Sequence, residues 1–140
     1  MEDQSQAGRT KTILIVDDEP IVLKICAMVL RRHGFELVLA GNGMEGLATY
    51  RQRHREICLV ISDITMPVMD GIEMTRRLFE VYSHPNVILM SGANLCDLIP
   101  DEVRKLCAVI AKPFTPARLM EAVNRCLKYH EEHSADAALG

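Results

Sequence analysis

Five short apolar runs punctuate the chain: "TILIV" (12–16), "FELVLA" (35–40), "EICLVIS" (56–62), "NVILMS" (86–91) and "LCAVIA" (106–111). None alternates apolar with polar residues, so each reads as a strand buried on both faces. Stretches of helical spacing separate them. Pro20 suits a first helical turn, where its missing N–H costs nothing, and Ile21, Val22, Ile25, Met28 and Val29 then follow in helical steps until Gly34. Asn42 caps a second helix to about Arg53, Gly71 begins a third to about Val81, and Thr115-Pro116 open a last one to about Tyr129. The stretch 93–105 is a poor helix because Pro100 interrupts it, although Pro100 can open a short helix "PDEVRK". Five strands alternating with five helices argue for a parallel sheet covered on both sides.

A chain of 140 residues fits one domain with a proper core. We expect a disordered lead-in over 1–11, the domain over 12–129 and a flexible tail over 130–140. The net charge of −3 gives no broad electrostatic basis for binding nucleic acid, and the small arginine groups read as solvated helix faces. No apolar stretch is long enough to span a membrane, and the polar start "MEDQSQAGRTK" is not a signal peptide, which points to a cytoplasmic protein. The five cysteines (Cys26, Cys58, Cys96, Cys107 and Cys126) are odd in number and widely spaced. They are expected to be reduced core residues rather than a disulfide framework or a zinc site.

Chemistry collects where the strands end. In an open parallel sheet, ligands bind beyond the carboxyl ends of the strands, near the point where strand order reverses. The first strand ends in Asp17, Asp18 and Glu19, the third in Asp63, the fourth in Ser91 and the fifth in Lys112-Pro113. A charge at the end of a buried strand is costly unless something compensates it. With the first strand between the second and third, these groups converge on one pocket. Two carboxylates about 5 Å apart repel by roughly 3 kcal/mol at an effective dielectric near 20. Three acids must therefore be partly protonated or hold a cation, and an all-oxygen site suits Mg2+ or Mn2+. With the cation in place, Asp63 can act as a nucleophile toward a phosphoryl group, while Lys112 and Ser91 offset charge and donate to its oxygens.

The stretches "ILIVDDEP" (13–20), "VISDITMPVMDG" (60–71), "ILMSGA" (88–93) and "IAKPF" (110–114), in this order and spacing, resemble the receiver domain of the two-component response regulators. The likeness covers about residues 12–128. It implies a flavodoxin-like (βα)5 doubly wound parallel sheet with strand order 2-1-3-4-5. It implies Asp63 as phosphoacceptor and Asp17 and Asp18 as the acid pair, the second binding Mg2+ directly. The backbone carbonyl of Thr65 matches the third metal ligand, Ser91 the switch hydroxyl and Lys112 the phosphate-binding lysine, with Lys112-Pro113 cis. The implied partners are a sensor histidine kinase or histidine phosphotransfer protein and a downstream protein. The implied role is that of a signalling phosphoacceptor in a phosphorelay, not a conventional enzyme. No output domain follows residue 130, which fits a stand-alone regulator or a receiver from a larger protein.

Three positions depart from the family pattern. Val109 stands three residues before the lysine, where receivers often carry Tyr or Phe; Leu106-Cys107-Ala108 replaces the usual Gly-Ala; and Pro100 interrupts the fourth helix. Thr65 and Ala93 sit where the family tunes loss of the phosphate, and neither is acidic or amide, which implies slow hydrolysis. A rival reading is a pseudo-receiver, an interaction module that is never phosphorylated. The stretch "GNGMEG" (41–46) fits a dinucleotide fingerprint, but it follows the second strand, whereas that fingerprint belongs to the first. His130 and His133 have helical spacing for a metal, but sit on a terminus expected to fray.

Overall fold

The computed structural model describes residues 11–92, 99–103 and 106–139. Five parallel strands, β1 (Thr12–Val16), β2 (Glu36–Ala40), β3 (Ile57–Asp63), β4 (Val87–Ser91) and β5 (Ala108–Ala111), lie in the order β2-β1-β3-β4-β5. The expected strand order therefore holds. Register brings the strand ends level: Val16 is opposite both Ala40 and Ser62, Asp63 is opposite Met90, and Ser91 is opposite Ala111. The residues that follow β1, β3, β4 and β5 thus emerge along one edge.

Strand periodicity divides the core. Leu14, Val16, Val60 and Leu89 enter one apolar cluster; Ile13, Ile15, Ile61, Ile88 and Met90 enter the other. The first is closed by α2 (Gly43–Arg53) and α3 (Gly71–Val81) through Leu47, Met74 and Leu78. The second is closed by α1 (Pro20–Arg32) and α4 (Pro116–Leu139) through Leu30, Leu119 and Val123. Both faces being apolar explains why the strands show no alternation. Among the described residues, no helix is long and apolar enough to cross a membrane.

The helix starts follow their caps. Asn42 Oδ1 accepts from the Glu45 N–H at 2.9 Å, Asp70 Oδ1 from Glu73 at 2.8 Å and Thr115 Oγ1 from Arg118 at 3.1 Å. Gly34, at φ 89°, follows the end of α1 in the left-handed region.

The structure corrects four expectations. Among the described residues, the short helix expected to open at Pro100 is a 3-10 turn over Asp101–Val103, with the Pro100 carbonyl accepting from the Val103 N–H. Residues 93–98, which hold Ala93 and Cys96, lie outside the described residues. The last helix runs ten residues past Tyr129 to Leu139, because "EEHSADAAL" is rich in residues that favour a helix. Lys11, placed in the lead-in, accepts the Glu36 N–H at 2.9 Å beside the start of the sheet, whereas 1–10 lie outside the described residues. Finally, Cys107 and Cys126 are joined in a disulfide, with Cα atoms 5.8 Å apart. Their sequence separation is 19, and only the packing of α4 on the sheet brings them together. Cys26 and Cys58 keep their thiols, as expected.

Two positions in the β3–α3 connection carry opposite constraints. A Cβ on Gly71 would lie 2.2 Å from the carbonyl oxygen of Asp63. Val68 is 77% exposed and holds φ 70°, which is unfavourable for a β-branched residue. Gly71→Ala is therefore expected to destabilise the domain by about 2–3 kcal/mol. Val68→Gly is expected to stabilise it by about 0.5–1 kcal/mol, the relief being partly offset by glycine's freedom in the unfolded chain. Urea unfolding of both variants checks the two signs.

Candidate functional site

Asp17 continues β1 directly, and its N–H bonds to the Ala40 carbonyl at 3.0 Å, so its backbone is held as if the strand went on. Its side chain is fully buried. Asp63 is the last residue of β3 and is 6% exposed. Asp18, in the turn before α1, is exposed. One carboxylate oxygen from each of these three lies within 4.8 Å of the others. That is a hard, all-oxygen donor set with one solvent-facing member, and such a set fits Mg2+ or Mn2+ with waters completing the shell.

Lys112 balances this cluster from the end of β5. Its N–H bonds to the Ser91 carbonyl at 2.8 Å, which ties its main chain to β4, and the following peptide to Pro113 is cis. The Nζ lies 3.1 Å from Asp17 Oδ2, 3.3 Å from Asp63 Oδ2 and 3.5 Å from Glu19 Oε1. Burial alone would lower the ammonium, but hydrogen bonds and attraction from Asp17 and Asp63 hold it above its ordinary value. Asp63 is pushed above the usual aspartate value, first by burial and then by the charge of Asp17, with Lys112 opposing both.

Asp17, Asp18, Asp63 and Lys112 are thus brought together, as the strand ends suggested. Ser91 is buried at the adjacent strand end, but its hydroxyl donates to the Gly92 carbonyl at 2.7 Å. Thr65 follows β3 with its side chain exposed. Two sets of contacts go beyond what the strand ends suggested. Glu19 reaches Lys112, and its N–H donates to Asp17 Oδ1 at 2.9 Å, so it orients the buried carboxylate. Cys26, on α1, lies close enough to Asp17 for that charge to act with burial in raising its thiol to about 11. The dinucleotide-like "GNGMEG" is spent on packing. The Gly43 N–H donates to the Met69 carbonyl at 2.9 Å, and a Cβ on Gly46 would meet Val16 and Met74.

Residues 13–124 match the family model described as the response regulator receiver domain. The chain is 32% identical over 117 residues to the chemotaxis protein CheY of Bacillus subtilis, covering 82% of this chain and 96% of that one. It is also 32% identical over 126 residues to the response regulator GtcR of Aneurinibacillus migulanus, covering 87% of this chain. The chain spans 51% of GtcR and 54% of a DNA-binding response regulator MtrA, about half of each. A receiver domain protein from Clostridium thermocellum superposes with a TM-score of 0.80 at 27% identity, over 86% of this chain and 97% of that one. A crystal structure of the CheX-CheY-BeF3-Mg+2 complex from Borrelia burgdorferi matches with a TM-score of 0.74 at 31% identity, over 81% of this chain and 86% of that one.

The raised Asp63 value has a consequence for stability. The folded protein holds this proton to higher pH than the unfolded chain does, so ionisation costs stability. The cost is absent below the ordinary aspartate value of 3.8 and complete above the raised folded value. In metal-free buffer, Asp63→Asn is expected to stabilise the domain by about 1–2 kcal/mol at neutral pH. The gain should vanish as pH falls through the folded value toward the unfolded one. Urea unfolding of wild type and variant across pH, with a chelator present, measures it; a pH-independent gain would contradict the assignment.

Proposed function

The chain belongs to the response regulator receiver family, and we propose that it accepts a phosphoryl group on Asp63 from a phosphohistidine of a sensor histidine kinase or phosphotransfer protein. The observation that carries this reading is the cationic Lys112 Nζ, 3.3 Å from Asp63 Oδ2, within a cluster of three acids. Asp63 supplies the nucleophile: its carboxylate oxygen forms the new bond to phosphorus as the phosphorus–nitrogen bond to the donor imidazole breaks. Lys112 compensates charge on the transferred group from the side it already occupies. Asp18, Asp63 and the Thr65 backbone carbonyl would hold Mg2+ or Mn2+, with Asp17 behind them. When bound, the cation supplies charge neutralisation on the phosphoryl oxygens. Asp17 and Glu19 keep Lys112 in place, since both accept from or pair with its Nζ.

Ser91 has a conditional part. Its hydroxyl now donates to Gly92, and a rotation about one side-chain bond frees it to donate to a phosphoryl oxygen instead. The changed surface around Ser91 then serves a downstream protein. A relative at 31% identity has been crystallised in a complex with BeF3 and Mg2+, which supports the same chemistry here. With neither an acid nor an amide at Thr65 or Ala93 to position an attacking water, loss of the phosphate should be slow.

Intact mass after incubation with a small acyl phosphate donor and Mg2+ tests the proposal. One phosphoryl group should be gained by the wild type, and none by Asp63→Asn or with a chelator present. Lys112→Met should reduce the rate of uptake by about 10²-fold or more while Mg2+ binding persists. No adduct in the wild type would favour a pseudo-receiver that acts only as an interaction module.

A further inference from the structure

We infer that Cys107 and Cys126 form a reversible dithiol–disulfide site, a second place of covalent modification that exchanges with low-molecular-weight disulfides such as glutathione disulfide. The argument begins with what holds the two residues apart from their sulfurs. The Cys107 N–H donates to the Val87 carbonyl at 2.8 Å, just before β5 begins. The Cys126 carbonyl, on α4, accepts from Asn86 Nδ2 at 3.2 Å. Asn86 and Val87 are consecutive, so one point at the start of β4 clamps both cysteine backbones. Asn86 is itself buried, and the same amide nitrogen reaches the Cys58 carbonyl at 3.3 Å.

This clamp does not depend on the sulfur–sulfur bond. The second apolar cluster also holds α4 to the sheet through Leu119, Val123 and Leu127. The reduced protein therefore keeps its fold and keeps both thiols at bonding distance, which is what a bond that forms and breaks repeatedly requires. Access differs between the two sulfurs' residues: Cys126 is fully buried, whereas Cys107 is half-buried and offers the point of attack.

The chemistry balances as thiol–disulfide exchange. The Cys107 thiolate attacks one sulfur of the external disulfide, forming a mixed disulfide and releasing one thiol. The Cys126 sulfur then attacks the Cys107 sulfur and releases the second thiol. Two electrons and two protons leave the protein and reduce the external disulfide to two thiols. The bond closes a loop, across a sequence separation of 19, that contains Lys112. Oxidation therefore ties the segment carrying the pocket's cation to α4.

The 140-residue chain, equilibrated in glutathione buffers of increasing oxidised fraction and quenched with a maleimide, tests this by intact mass. The expected result is one transition in which the wild type loses two reactive thiols and two hydrogens. Cys107→Ser and Cys126→Ser should show no such transition. The oxidised form should melt about 10 °C higher than the reduced form. Asn86→Ala should need a buffer roughly three- to tenfold more oxidising to reach half oxidation. Four outcomes would overturn the inference: Cys107 and Cys126 both modifiable at every ratio, a stable glutathione adduct on Cys107 as the end state, a bond that survives excess dithiothreitol in the folded protein, or an unchanged midpoint in Asn86→Ala.

Discussion

The Lys112 ammonium among Asp17, Glu19 and Asp63 is the interaction on which the pocket depends. Two of those carboxylates sit at the ends of buried strands, where an uncompensated charge would be ruinous. Lys112 compensates them only in part. Asp63 still holds its proton more tightly than an ordinary aspartate, because burial and Asp17 outweigh the lysine. The geometry thus leaves the pocket short of positive charge, and a divalent cation would remove the shortfall. A site that is fully neutral when empty would have less reason to bind one.

Placement of these charges is the work of the sheet. The register levels the strand ends, and Asp17, Asp63 and Lys112 each continue or close a strand rather than sitting in a long loop. The connection after β3 is held equally tightly. The Gly71 N–H donates to the Ile64 carbonyl at 2.8 Å, and the glycine passes so close to Asp63 that no side chain fits. The exposed Val68 absorbs the remaining backbone strain in the same connection.

Much of this was legible in the sequence because it is local or additive. The apolar runs gave the strands, the caps at Asn42 and Thr115 and the glycine at Gly71 marked helix starts, and polar residues at successive strand ends pointed to one pocket. The convergence of Asp17, Asp18, Asp63 and Lys112 followed once the strand order implied by the family resemblance was granted. What was not legible depends on tertiary distance or side-chain rotation. The Cys107–Cys126 bond joins residues with no sequence relation, and its clamp is an asparagine whose partners lie 28 and 40 residues away. The Ser91 hydroxyl could be placed at the right strand end, but not turned toward Gly92 in advance. The end of α4 was not legible because its last ten residues, rich in polar and small types, show no apolar periodicity in the sequence.

The disulfide and the acid pocket lie at opposite edges of the sheet, and β5 joins them. Cys107 precedes its first residue and Lys112 follows its last, a separation of about 16 Å at strand rise. β5 is an edge strand with only β4 beside it. At its middle stands Val109, half-buried against the first apolar cluster, where a flipping aromatic ring is not available. A branched side chain with few rotamers does not move independently of its backbone. Any signal crossing this strand must therefore travel as displacement of the strand or of the segments at its ends. Tying its leading end to α4 would oppose that displacement while leaving every charge in the pocket where it is.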